Sequence, residues 1–193
     1  TMVADGQGAW SFTTSTLSNA THNFTATATD LAGNISGVSS PLQVTVDAIA
    51  PAAPAITGFS PDSNVSGDGI TNASQVTLTG TAAAGSTVKV YDGATLIKTL
   101  VADSSGAWSF TTAALADGGH SFTATATDAA GNVSAASAAL SVTIDTAAPG
   151  APTIASFSSD SGTVGDGVTS DNTLTLTGSA AALVAAYAVR FVA

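Results

Sequence analysis

Apolar and polar residues alternate over short segments in the middle of the chain. Trp108 and Phe110 are spaced two apart, and between positions 122 and 127 a phenylalanine and two alanines alternate with threonines. A period of two places the apolar side chains on one face of a β-strand and the polar ones on the other. No segment shows the 3.6-residue period of an amphipathic helix. The pattern therefore predicts an all-β fold.

Turn-forming residues separate these segments. The Asp92-Gly93 dipeptide predicts a tight hairpin because glycine accepts positive φ, and Asp103 to Gly106 closes the next turn. Segments at this spacing are typical of a β-sandwich. We predict seven strands, near residues 55–60, 75–80, 87–91, 94–101, 107–112, 120–128 and 139–145.

The sequence repeats with a period of 98 residues. Of the 47 pairs formed between positions 1–47 and 99–145, 29 are identical. A period near 100 residues indicates whole domains in tandem rather than the short units of a solenoid. We call residues 1–47 the first partial copy, a C-terminal part. Residues 48–145 are the complete copy, and residues 146–193 are the second partial copy, an N-terminal part.

Two consequences follow from this organisation. Seven strands, an odd number, place the two ends of a copy at opposite poles, so we expect tandem sandwiches joined head to tail. The chain begins within a copy and is expected to be a fragment of a longer protein. From about residue 183 the last copy diverges, because the positions equivalent to Gly85–Tyr91 read Leu183–Val189.

The junctions between copies are also repeated. Asp47 is followed by Pro51 and Pro54, and Asp145 is followed by Pro149 and Pro152. Proline restricts the backbone, so these connectors are predicted to be stiff. Each junction is interpreted as a seam between two domains.

Three spaced motifs carry a family resemblance. They are Gly106-Ala107-Trp108-Ser109-Phe110, the segment from Ala124 to Asn132 (Ala-Thr-Ala-Thr-Asp-Ala-Ala-Gly-Asn), and Asp145-Thr146-Ala147-Ala148-Pro149. At this period they resemble the bacterial Ig-like repeats of large surface adhesins, including biofilm-associated proteins exported by type I secretion. The resemblance implies an extracellular or cell-surface stalk stiffened by calcium, whose partners are neighbouring repeats. It does not indicate the adhesive target.

Composition narrows the possible partners. The formal charge is −10, all 13 acidic residues are aspartate, and there is no cysteine. Three cationic side chains cannot neutralise a run of phosphates, so nucleic-acid binding is not expected. The apolar end of the chain, Ala180 to Ala193, is too short to span a bilayer and contains Arg190. No membrane span is therefore predicted in these residues.

Oxygen-bearing side chains are predicted to gather at the seams. If the strands alternate in direction, one seam combines Asp47 with the turns that carry Asp103, Asp128 and Asn132. At the opposite pole, Asp145 is predicted to meet the long loop that contains Asp62 and Asp68. Ca²⁺ prefers sites in which all the ligand atoms are oxygens, so calcium is the expected ion at both seams. The alternative is that each residue accepts hydrogen bonds from backbone N–H groups in its own turn.

No catalytic group is predicted. Trp10 and Trp108 each lie two residues from a phenylalanine on the same strand face, which favours core packing over a sugar-binding platform. His22 and His120 have no ligand or triad partner at a recognisable spacing and are expected at turns or edges.

The sequence therefore predicts that the chain is a non-enzymatic spacer in the stalk of an adhesin. Two alternatives stay open: an Ig-like accessory module of a secreted enzyme, and a ligand-binding Ig-like module.

Overall fold

The computed structural model describes residues 1–158, 161, 163 and 165–180. Within these residues the chain forms twelve β-strands and no helix, which confirms the predicted all-β class. The chain divides into two compact units, Thr1–Asp145 and Thr146–Ala193. The strands are β1 (Ala20–Phe24), β2 (Leu42–Val46), β3 (Ala55–Ser60), β4 (Ile70–Thr71), β5 (Thr77–Thr81), β6 (Thr87–Asp92), β7 (Thr95–Val101), β8 (Ala107–Thr111), β9 (Gly118–Thr127), β10 (Leu140–Ile144), β11 (Thr153–Phe157) and β12 (Leu176–Ser179).

The complete copy is a sandwich of two sheets. One sheet has three strands in the order β3-β5-β8, and the other has five in the order β4-β10-β9-β6-β7. All pairings are antiparallel except that of β4 with β10. The seven predicted strands are present, and each end lies within two residues of its predicted position. The hairpin after β6 turns at Gly93, whose φ is 55°, and Ala94.

The short strand β4 was not predicted. It contains only Ile70 and Thr71, which pair in parallel with Thr143 and Ile144. Two residues are too few to show an alternating pattern, and the strand follows a long polar loop. The prediction of seven strands is corrected to eight in the complete copy.

The hydrophobic core lies between the two sheets of the complete copy. Its largest fully buried side chains come from β5, β6, β9 and β10 and from the residue before β5: Phe122, Leu78, Ile144, Val76, Val88, Val90 and Val142. Trp108 of β8 is 5% exposed and belongs to the same cluster, so its predicted core position is confirmed.

The first partial copy forms a hairpin of β1 and β2 with Ala20 opposite Val46. None of its residues is buried. Trp10 is 59% exposed and Phe12 is 63% exposed, so the core position predicted for Trp10 is wrong in this structure. The reason is that residues 9–13, equivalent to β8, pair with no strand among the described residues.

The second unit contains the two-stranded sheet of β11 and β12. Its register shifts between Ile154 and Ser156, as the register of β3 with β5 shifts between Ile56 and Gly58. The divergence predicted from about residue 183 falls outside the described residues. The described part of the chain contains no helix long and apolar enough to cross a membrane.

Candidate functional site at the junction between copies

The turn after β9 is organised by the carboxylate of Asp128. Its Oδ1 accepts hydrogen bonds from the backbone N–H groups of Ala130 and Asn132, both at 2.9 Å. Its Oδ2 accepts one from Asn132 Nδ2 at 2.9 Å. These bonds, chiefly the one from the Asn132 side chain, lower the pKa of Asp128 because they favour the charged carboxylate. Both oxygens therefore have protein partners within the turn.

The first partial copy repeats this turn. Asp30 Oδ1 accepts from Ala32 N and Asn34 N, and its Oδ2 accepts from Asn34 Nδ2 at 2.8 Å. The pKa of Asp30 is lowered for the same reason, with the Asn34 side chain as the largest cause. The turn forms although none of the residues 1–47 is buried, so it is encoded locally.

Asp103 closes the turn between β7 and β8 in a similar way. Its Oδ1 accepts from Ser105 N, Ser105 Oγ and Ala107 N. These bonds, the one from the Ser105 hydroxyl first, lower the pKa of Asp103. Asp5 holds Gln7 N and Ala9 N in the equivalent turn of the first partial copy. The predicted alternative, a backbone-capping role, describes the observed bonds of Asp103 and Asp128.

Hydrogen bonds from both sides hold the junction at Asp47. Asn132 Nδ2 donates to the Asp47 backbone carbonyl at 3.1 Å, which links the complete copy to the end of β2. On the other side, Ala48 N donates to Asn19 Oδ1 at 3.0 Å. Asp47 Oδ1 accepts from Ile49 N at 3.0 Å. Direct hydrogen bonds thus connect Asn132 with Asp47 and with Asp128. The bonds of Asp103, the fourth residue predicted at this seam, stay within its own turn.

The loop of residues 61–69 has a different arrangement. Asp62 Oδ2 accepts from Gly67 N at 2.6 Å, whereas Asp62 Oδ1 is buried and has no hydrogen-bond partner. Asp68 Oδ1 accepts from Ile70 N. Asp145 N donates to the carbonyl of Thr71, so the end of β10 lies beside the segment that follows this loop.

These contacts allow a test of whether the residues fit calcium. Among the described residues, no group of three or more histidine or acidic side chains is close enough to hold a metal ion. At the Asp47 seam, Asn132 turns its NH₂ group, a donor, toward both Asp47 and Asp128. Calcium needs six to eight oxygen ligands. The observed arrangement does not fit the ion there, and calcium at either seam stays a prediction.

A pair that the sequence did not reveal joins β6 and β9 of the complete copy. His120 Nδ1 is 2.6 Å from Asp92 Oδ2, and His120 Nε2 is 3.0 Å from the carbonyl oxygen of Ala116. The carbonyl of Ala116, and next the carboxylate of Asp92, raise the pKa of His120 above 6.5. Because Nε2 faces a carbonyl rather than a hydroxyl, this pair is not part of a serine-type triad.

The contact between His120 and Asp92 was not predicted from the sequence. Asp92 and His120 are 28 residues apart, and they meet because β6 pairs with β9. The only sequence signal was the Asp92-Gly93 hairpin, which fixes where β6 ends. His120 is the third residue of β9, the middle strand of the five-stranded sheet, and it pairs with Val142, so the expected position at a turn or edge was not found.

The sequence matches the model of one protein family. The model of the bacterial Ig-like domain matches residues 1–48 and 51–146. The chain therefore belongs to the bacterial Ig-like domain family, as the motifs indicated. No curated protein matches it in sequence.

Several solved structures are similar to the chain. The fibronectin(III)-like modules of Clostridium thermocellum CbhA are 20% identical, with a TM-score of 0.39 and coverage of 66% of this chain and 64% of theirs. The BSP domain of a biofilm-associated protein is 22% identical, with a TM-score of 0.37 and coverage of 66% and 20%. A structure from a 1.5-MDa bacterial ice-binding adhesin is 26% identical, with a TM-score of 0.34 and coverage of 65% and 41%. The chain thus spans less than two thirds of each of these structures.

Proposed function

We propose that the chain is a spacer segment in the stalk of a bacterial cell-surface or secreted adhesin, and that it has no catalytic role. The observation that carries the proposal is the hydrogen-bonded junction at Asp47. Neighbouring copies contribute one bond each, from Asn132 and to Asn19. Family membership and the 98-residue period support the same role. In such a segment the function is mechanical, because stiff connectors keep successive domains extended.

Two local features restrict bending at this junction. Pro51 and Pro54 fix two φ angles shortly after Asp47. Asn132 holds the Asp47 carbonyl from a turn that is itself braced by Asp128. The junction is therefore connected to the core of the complete copy by a short path through the Asp128 turn at the end of β9.

Distances between two spin labels, measured by double electron–electron resonance, test the proposal directly. The chain has no cysteine, so Thr27→Cys and Lys98→Cys place one spin label on each side of the junction, at exposed positions. We expect a narrow distance distribution, and Asn132→Ala should broaden it because the bond to Asp47 is lost. Asn34→Ala is the matched control, since it removes the same bond to an aspartate without one to Asp47. Equal widths in all three proteins would contradict a mechanical role for this seam.

The same labelled protein distinguishes a junction that is held by direct hydrogen bonds from one that is held by bound calcium. We expect identical distributions in millimolar calcium and in chelator, because Asp128 and Asn132 already have protein partners. A narrower distribution and a higher melting temperature in calcium would instead support the ion predicted from the sequence. Asp62→Asn would then show whether the loop of residues 61–69 is involved, since Asp62 Oδ1 is the one predicted ligand oxygen found buried without a partner in the described residues.

A further inference from the structure

The strand β7 forms one edge of the five-stranded sheet in the complete copy. It pairs with β6 on one side, and no strand in the described part of the chain pairs with its other side. Its sequence, Thr-Leu-Ile-Lys-Thr-Leu-Val over Thr95–Val101, contains four aliphatic residues and one charge. Leu96 is 49% exposed and Val101 is 62% exposed. Edge strands with high β-propensity and little charge readily pair with further strands, so this edge needs protection.

The one charged side chain of β7 lies at the centre of the strand. Lys98 is the fourth of its seven residues, and it is exposed. It is paired with Val90 of β6, which is fully buried. Residues that lie directly opposite each other in a sheet share a face, so Lys98 is on the core side of the edge. A further strand on this edge would remove the ammonium group from water, which is costly for an unpaired charge.

The ladder between β6 and β7 is irregular beside Lys98. The register shifts between Val90 and Tyr91, which pair with Lys98 and Leu96, so Ile97 is an extra residue in β7. A bulge of this kind bends an edge strand and increases its twist, which makes the edge a poorer template for another strand. The edge therefore has two features, an inward lysine and a bulge, that oppose further pairing.

We propose that Lys98 prevents this edge from pairing with β7 of a second copy of the chain. The antiparallel arrangement that pairs all seven residues places Thr95 opposite Val101 and Lys98 opposite Lys98, on the two-fold axis of the dimer. Like charges that are directly opposite in a sheet destabilise the pairing. Any other antiparallel register pairs fewer residues. Lys98 thus acts where pairing between two copies would be most extensive.

Sedimentation velocity over a range of protein concentrations tests the proposal in the full chain. Lys98→Val should form a dimer whose dissociation constant is roughly a hundredfold or more below that of any wild-type dimer, because the repulsion is removed. Lys89→Val is the matched control: Lys89 is exposed and carries the same charge, but it lies on β6, which has partner strands on both sides. This control should stay monomeric like the wild type. Hydrogen exchange should show new protection in β7 of Lys98→Val alone.

Reversal of the charge provides a second test that does not depend on an apolar substitution. Lys98→Glu by itself should stay monomeric, because two carboxylates are then opposite each other. An equal mixture of Lys98→Glu and the wild type should form dimers with one chain of each kind, because the opposed charges then attract. A mixture without such dimers would overturn the register in which Lys98 faces itself.

Three other results would overturn the proposal. The first is a folded Lys98→Val protein that stays monomeric at every concentration. The second is association of Lys89→Val to the same extent, since the effect would then come from net charge and not from the edge. The third is growth of Lys98→Val into larger assemblies without a dimer, because pairing about a two-fold axis uses the edge of β7 in both molecules and closes the assembly.

The spin label at position 98 replaces the same lysine. Distances across the Asp47 junction should therefore be recorded at a concentration at which Lys98→Val is monomeric, so that labels in two different molecules do not contribute.

Discussion

At the scale of single residues, the packing of Trp108 on Gly80 shows how one missing side chain supports the core. The alternating pattern predicted that Trp108 faces inward, and it does. The need for glycine at position 80 could not be predicted, because it depends on which residue of β8 lies opposite in the register of the sheet. That register is a long-range property, set by a pairing between residues 28 positions apart.

Gly80→Ala tests this packing. The new Cβ would overlap the indole ring of Trp108 and the backbone oxygen of Ala55, and the backbone oxygen cannot move aside easily. We expect a loss of about 3 kcal/mol or more in the free energy of unfolding, measured by urea titration. Gly58→Ala is the control, since its Cβ would meet nothing within 4 Å, and its effect should stay within about 0.5 kcal/mol. Equal effects of the two substitutions would refute the explanation.

The contacts of His120 predict a pH dependence of stability. Both ring nitrogens face acceptors, Asp92 Oδ2 and Ala116 O, and only the protonated ring donates to both. Since the folded state raises the pKa of His120, its contribution is fully present below about pH 6.5 and is lost as the pH rises through the folded-state pKa. We expect the complete copy to lose on the order of 1 kcal/mol across that range.

Urea unfolding of the wild type and of Asp92→Asn between pH 5.5 and 9 measures this effect. The stability difference between the two proteins should shrink as the pH rises, because the neutral ring no longer needs a carboxylate. His22→Gln is the matched control: His22 occupies the equivalent position and bonds to Ser18 O, but it lies outside the core of the complete copy. A pH-independent difference would show that Asp92 acts only through its contacts to the backbone.

At the scale of elements, the strands were predictable and the turns were predictable only in part. Alternation over five or more residues located β5 to β10, whereas β4 was too short to show a pattern. Aspartates at turns were correctly placed at the ends of strands. Their bonding was not determined by the sequence, since a carboxylate in a turn can bind either an ion or backbone N–H groups. The contacts of Asp103 and Asp128 show the second arrangement.

The turn at Asp103 provides the prediction at this scale. The lowered pKa of Asp103 means that its contribution to stability is present above the unfolded-state pKa and is lost as the pH falls through the folded-state value, below 3.8. Thermal unfolding between pH 5 and 2 should therefore show a smaller decrease for Asp103→Asn, which keeps an acceptor oxygen but cannot titrate. Asp103→Ala, which keeps none, should already be less stable at pH 7. Identical acid profiles for the wild type and Asp103→Asn would exclude this carboxylate as a contributor.

At the scale of the whole molecule, the 98-residue period was the strongest information in the sequence. It predicted tandem Ig-like copies, and the family match and the all-β architecture confirm the fold class. Identity between copies does not ensure equal burial, however. The hydrophobic core cluster lies within the complete copy, whereas residues 1–47 have no buried residue although 29 of their 47 pairs with residues 99–145 are identical. Burial depends on the strands opposite, which only the complete copy has within its own described sheets.

Hydrogen exchange follows from this difference in burial. Strong protection should be confined to residues 48–145, because among the described residues the hydrophobic core lies between their strands. Equal protection of all three copies would contradict this dependence of protection on burial.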